Sequence, residues 1–153
     1  MTALSGLLML SLAAFPLAAQ DTARRQGKLM VTSGGRAAEA LFRQLIGGPE
    51  PNVVFIPTGA SSLRSDSGVI WNPDKQEHRA KYEQDILQRF GLKRVTLLHT
   101  RDRQVADTDA FVAPLRTADA VSISGGNAGR LADAYLGVKV ATEVKALVDR
   151  GGV

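Results

Sequence analysis

The chain has 153 residues, 44% of them hydrophobic and 22% charged, the balance of one soluble globular domain rather than a disordered segment. Its 19 basic and 15 acidic side chains leave a net charge of +4. The basic residues are scattered and aromatics make up only 5%, so the mild basicity reads as solvated surface and speaks against a nucleic-acid partner. With no cysteine and two histidines, these residues exclude disulfides, a thiolate nucleophile, cysteine-zinc sites, an N-terminal lipoprotein anchor and a histidine-rich metal site. No metal or cofactor is expected.

The first charged side chain is Asp21. Before it runs the apolar stretch Leu4 to Leu17, broken by Pro16 and followed by Ala18-Ala19. This pattern reads as a secretory signal peptide over residues 1–19, cut after Ala19. It predicts an extracytoplasmic protein, secreted or periplasmic. An uncleaved anchor is the alternative, because the charge-free stretch approaches the ~20 residues that span a bilayer. No Lys or Arg precedes the apolar core, and Leu17 is large for its place. Pro16 and the paired alanines favour cleavage, so no stable membrane span is expected.

Residues 20–27 are polar and read as a linker, and residues 28–153 as the folded portion. Lys28 to Thr32 is a short apolar run ended by Ser33-Gly34-Gly35, which predicts a strand covered on both faces. Arg36 to Ile46 places Ala37, Ala40, Leu41 and Leu45 at helical spacing, and Gly47-Gly48-Pro49 stops that helix. Asn52 to Ile56 predicts a second buried strand, closed by Pro57-Thr58-Gly59. Ser61 to Asp74 is a polar loop of functional length around the apolar island Val69-Ile70-Trp71. Gln76 to Phe90 predicts an amphipathic helix with Tyr82, Ile86, Leu87 and Phe90 on one face, ended by Gly91. Val95 to Leu98 reads as the third strand, Asp107 to Leu115 as a short helix, and Ala118 to Ser124 as the fourth strand, followed by Gly125-Gly126. Leu131 to Leu136 and Val140 to Val148 predict the last helices, with Gly151 as a cap. Strand and helix alternate and hairpin signals are absent. The expected fold is therefore a three-layer α/β/α domain with a mainly parallel, flavodoxin-like sheet.

In open parallel sheets, ligands bind beyond the carboxyl ends of the strands. Three such ends carry small or backbone-exposing residues: Ser33-Gly34-Gly35-Arg36, Pro57-Thr58-Gly59-Ala60-Ser61 and Ser124-Gly125-Gly126-Asn127. Glycine lets the main chain approach a ligand closely, and a following helix start favours an anion or a developing oxyanion. Singly, each is a turn after a strand; together at one sheet edge they favour a site. A dinucleotide fingerprint and a P-loop lysine are absent. Ser61, Ser62, Ser65 and Ser67 lie outside any sharp strand-to-helix elbow and are not expected to be nucleophiles. His78 reads as a solvated helix residue and His99 as a strand-end histidine with no assignable carboxylate. Trp71 reads as loop packing, and the charges from Asp74 to Glu83 as a wet helix face.

An ordered series of residues resembles the cyanophycinase and aspartyl-dipeptidase (dipeptidase E-like) family of serine peptidases, which share the class I glutamine-amidotransferase-like fold. The series is Ile56-Pro57-Thr58-Gly59-Ala60-Ser61, Tyr82 with Phe90-Gly91-Leu92, Ala118-Asp119-Ala120-Val121, Ser124-Gly125-Gly126-Asn127 with Arg130-Leu131, Leu136-Gly137, and Arg150-Gly151-Gly152-Val153. The resemblance implies backbone oxyanion donors at Gly125 and Gly126. With the glycine-rich ends above, it implies contacts to a peptide or small anionic substrate from Asn127, Arg130, Thr58, Gly34 and Gly35. Ala128 stands where cyanophycinase-like members commonly have glutamine, and Gly129 where relatives often carry a larger residue, so cyanophycin specificity is not implied. The family's nucleophilic serine lies in an elbow beyond a Gly-Gly-Val lead-in, and its histidine and acidic partners lie later. None falls within residues 1–153. The expectation is a domain truncated before the nucleophile strand and elbow, inactive alone. Two other readings stay open: a flavodoxin-like module binding a small anionic ligand, and an amidotransferase-type relative. The sequence leaves the oligomeric state open.

Overall fold

The computed structural model describes residues 26–64, 68 and 70–153. The signal-peptide reading, most of the 20–27 linker, and Ser65 and Ser67 lie outside the described residues.

The fold is organised on β1 (Val53–Ile56), whose four side chains are all buried. This run of β-branched and aromatic residues suits a strand covered on both faces. It pairs in parallel with β4 (Val95–Leu97) on one side and β5 (Ala120–Ile123) on the other, giving a three-stranded parallel sheet in the order β4-β1-β5. Two further strands, β2 (Leu63–Arg64) and β3 (Ile70–Trp71), form a separate antiparallel ladder in which Leu63 faces Trp71. The absence of hairpin signals is corrected here. Ile70 and Trp71 of the apolar island supply one side of a ladder too short for the period-2 pattern to register.

Alternation along β1 sorts the helices into two layers. Val54 and Ile56 pack among Ala106, Val112, Leu115, Tyr135 and Leu147. These residues come from or adjoin α3 (Arg103–Ala106), α4 (Asp109–Arg116), α5 (Ala128–Tyr135) and α6 (Lys139–Asp149). Phe55 turns the other way, onto Tyr82 and Ile86 of α2 (Arg79–Phe90), and Val53 joins Phe42 of α1 (Arg36–Ile46) and Leu92. Edge-on aromatic contacts knit that layer, Phe55 to Tyr82 at 6.2 Å and Phe42 to Phe90 at 5.8 Å between ring centroids. The α/β architecture with helices on both faces of a parallel sheet is therefore as the sequence implied.

The helix ends follow local chemistry. Asp102, Thr108 and Asn127 cap α3, α4 and α5 with side-chain oxygens that accept backbone N–H groups of the first turn. Gly91 closes α2 in the left-handed region at φ 60°. A 3-10 turn, Gln76–His78, leads into α2.

Residues 28–32, expected as a strand, do not form one. An apolar run becomes a strand only where a neighbour takes its backbone bonds. Among the described residues the segment makes one such bond, from Lys28 N–H to the Gly152 carbonyl at 2.9 Å. Leu29 and Val31 are 84% and 89% exposed, and only Met30 packs inward, against the cluster of Phe42, Val53 and Ala120. Val153 hydrogen-bonds along β5, accepting from Val121 N–H and donating to the Asp119 carbonyl. Helix α3 was not anticipated, although the sequence Asp102-Arg103-Gln104 carries its N-cap.

Leu115 is fully buried where α4 meets the sheet and α6. Leu115→Ala is expected to lower stability by about 2–5 kcal/mol, measured by urea unfolding.

Candidate active site

The parallel register brings the ends of β1, β4 and β5 to one rim. Backbone bonds carry the ladder one step past the strands: Leu98 N–H donates to the Phe55 carbonyl, and Ser124 N–H to the Ile56 carbonyl, each at 2.9 Å. Beyond that step lie Thr58-Gly59-Ala60, His99-Thr100-Arg101 and Gly125-Gly126-Asn127.

The β1 and β5 turns are in direct backbone contact. Asn127 N–H donates to the Gly59 carbonyl at 2.9 Å. Gly126 has φ +130°, and a Cβ there would stand 2.5 Å from the Gly59 oxygen and 3.1 Å from the Ala60 Cα. Glycine is therefore required at 126 by conformation and by space alike. Gly125 and Gly126 are exposed residues, and the backbone N–H of neither donates to any group among the described residues.

Asn127 points its amide oxygen back to Arg130 N–H at 3.3 Å, so that oxygen is engaged in starting α5. The Arg130 guanidinium forms no hydrogen bond or ion pair among the described residues and follows the two glycines by one helical turn. Thr58 is fully buried. It is part of the rim's framework rather than a surface open to substrate. Gly34 and Gly35 precede α1, and a Cβ added at either would meet nothing within 4 Å. Of the substrate-contact candidates, Thr58, Asn127 and Arg130 gather around the β1–β5 turns with Gly125 and Gly126, and among the described residues no hydrogen bond joins Gly34 or Gly35 to them.

A polar chain that the sequence did not reveal runs under this rim. Thr58 Oγ1 lies 2.8 Å from His99 Nδ1 and 2.6 Å from the Tyr135 hydroxyl, which accepts from Thr100 N–H at 3.3 Å. His99 Nε2 lies 3.0 Å from Asp74 Oδ1. Arg101 closes the chain, donating from Nε and a terminal nitrogen to the two Asp74 oxygens at 2.6 and 2.9 Å. The two hydroxyls and both His99 ring nitrogens form one continuous run of hydrogen-bond contacts ending on the Asp74 carboxylate, which can only accept. His99 thus has the carboxylate partner that the sequence could not assign, and Asp74 belongs to this network rather than to a wet helix face.

Hydrogen bonding by Arg101, aided by His99, holds the Asp74 carboxyl down from its ordinary 3.8 to about 2. Burial pushes the Tyr82 hydroxyl up to about 12 and raises that of Tyr135.

Beside the chain lies a cavity of about 50 Å³ walled by Pro57, Trp71, His78, Tyr82, Leu97 and His99. Trp71 is buried, its Nε1–H donating to Asp85 at 2.8 Å and the Lys81 ammonium 5.1 Å from its ring centroid. His78 is half-buried rather than solvated. Its Nδ1 accepts from Asn72 N–H at 3.2 Å, and its ring meets Trp71 edge-on at 5.4 Å. Among the described residues no group of acidic, histidine or cysteine side chains could hold a metal ion, and no helix is long and apolar enough to cross a membrane.

The profile of Peptidase family S51 matches residues 29–153. The chain belongs to this family. The crystal structure of a peptidase from an acI-B1 Actinobacterium has the same fold over 78% of the chain, with a TM-score of 0.58 and 22% sequence identity. The chain spans 48% of that protein's length. No curated protein matches it in sequence. The S51 assignment agrees with the resemblance carried by the ordered series from Ile56 to Val153. The matched region contains the Gly59–Gly126 contact and the polar chain beneath it.

Thr58→Val keeps the shape but strips the hydroxyl from between His99 and Tyr135. A loss of about 1–3 kcal/mol is expected by urea unfolding, because two inward-facing polar groups lose a partner. Acid acts at the other end of the chain. Since the folded-state value of Asp74 lies below its ordinary one, its stabilisation is complete above about pH 4 and drains away as pH falls toward 2. The Asp74 side chain is 45% exposed, which limits the effect to about 1 kcal/mol or less. Melting curves of the wild type and Asp74→Asn are expected to converge as pH drops from 5 toward 2.

Proposed function

We propose that residues 28–153 form the oxyanion-binding half of a serine-type peptidase site that hydrolyses peptide bonds by acyl transfer. The observation that carries this reading is the exposed pair Gly125 and Gly126, whose amides donate to no group among the described residues, in a chain of the S51 family. A serine hydroxyl would attack the peptide carbonyl while a histidine takes its proton, and the two amides would donate to the oxygen as it gains charge. Arg130, one turn into α5, would meet an anionic group of the substrate.

None of the serines in residues 1–153 sits in a G-x-S-x-G elbow. Thr58 is not an alternative nucleophile despite its Thr58–His99–Asp74 alignment, since it is fully buried and its hydroxyl also meets Tyr135. The attacking serine and its histidine therefore come from outside these residues, and residues 1–153 by themselves are an inactive portion of the enzyme. The apolar run of residues 4–17 with Pro16 and Ala18-Ala19 supports a location outside the cytoplasm, secreted or periplasmic.

Purified residues 1–153 incubated with aspartyl dipeptides are expected to give no turnover, because loss of nucleophile and base removes most of the rate advantage. Turnover that a serine-directed reagent abolishes would overturn this reading.

A further inference from the structure

We propose that Arg101 is a positioning residue for the Gly125–Gly126 amides, acting through the β1 turn. The inference rests on the peptidase reading for its purpose, though not for its geometry.

Its guanidinium holds two segments at once, the loop at Asp74 and the β1 turn. Two nitrogens grip the Asp74 carboxylate. The remaining contacts go to main chain: one terminal nitrogen donates to the Thr58 carbonyl at 3.4 Å, the other to the Ala60 carbonyl at 3.3 Å. Thr58 and Ala60 flank Gly59, and the turn is closed by Ala60 N–H donating to the Pro57 carbonyl at 2.9 Å. The Gly59 carbonyl accepts from Asn127 N–H and touches the Cα side of Gly126.

The carbonyls of three consecutive residues are thus divided, the outer two held by Arg101 and the middle one by the β5 turn. Peptide planes are rigid, so releasing the outer carbonyls lets the middle one rotate, and the Gly126–Asn127 backbone rests on that middle oxygen. Asp74 sets the plane of the guanidinium by taking two of its donors. The arrangement requires a planar fork. A lysine ammonium is a point charge and cannot hold a carboxylate edge and two carbonyls in fixed directions.

The test compares amide hydrogen exchange, and the ¹⁵N shifts of Gly125 and Gly126, in the wild type, Arg101→Lys, Arg101→Ala and Asp74→Asn. Arg116→Ala serves as control, since Arg116 pairs with Asp109 and Glu143 on the α4–α6 surface. Exchange at Asn127 is expected to rise at least about tenfold in both Arg101 variants, with shifted Gly125 and Gly126 resonances, at a temperature where each variant is folded. Asp74→Asn should give the same changes in smaller measure, and it keeps the test open if Arg101→Ala does not fold. The Arg116 control should leave Asn127 unchanged.

Wild-type exchange and shifts in Arg101→Lys would overturn the proposal. So would acceleration spread evenly over the domain, which is the mark of lost global stability. Failure of the reading that the attacking serine lies outside residues 1–153 would appear separately, as serine-dependent hydrolysis by those residues alone, and would leave the exchange result untouched.

Discussion

Burial of β1 on both faces is the constraint on which the rest of the structure depends. Val53 and Phe55 are covered by α1 and α2, while Val54 and Ile56 are covered by α3 to α6. A strand so enclosed cannot shift register by one residue without turning each side chain into the wrong layer. The two parallel neighbours inherit that register. The height at which β1, β4 and β5 end is therefore fixed by hydrophobic packing well away from the rim, and the chemistry above inherits its level from the core below.

The rim itself is polar where the core is apolar, and the change happens within two residues, from Ile56 to Thr58. Thr58 is fully buried, yet it has partners on two sides. None of the buried side-chain polar atoms among the described residues lacks a partner. The chain from Thr100 through Tyr135, Thr58 and His99 to Asp74 and Arg101 brings a buried hydroxyl stepwise out to a half-exposed ion pair. Such a chain specifies one arrangement strongly, because a single missing member leaves a neighbour desolvated and unbonded.

What could be read from the sequence was what short-range chemistry decides. The apolar runs of β1, β4 and β5, the spacing in α1 and α2, and the glycine turn after β5 each announce themselves within a dozen residues. The polar chain could not be read this way. Thr58 and Tyr135 are 77 residues apart, Arg101 and Asp74 are 27 apart, and His99 and Asp74 are 25 apart. Nothing in a local pattern marks such pairs. Asp74 in particular sits at the head of a charged helix, where solvation is the ordinary expectation. Residues 28–32 failed for the opposite reason. Their composition suits a strand, but a strand is defined by its neighbour's hydrogen bonds and not by composition. The paired glycines at 34–35 and 125–126 look alike in sequence. Of the four, only Gly126 is pressed against another backbone, at Gly59.

The loop between β1 and α2 is held at two points by different means. Asp74 is clamped to the rim by Arg101 and His99, whereas Trp71 is packed inside with its indole nitrogen on Asp85. Trp71 is the only tryptophan in the chain, and its ring borders the small cavity with an imidazole edge and an ammonium face close by. Intrinsic emission excited at the indole band therefore reports from one place. Any molecule entering that cavity, or any loosening of the loop above it, would alter the colour and lifetime of a single natural fluorophore without a label being added.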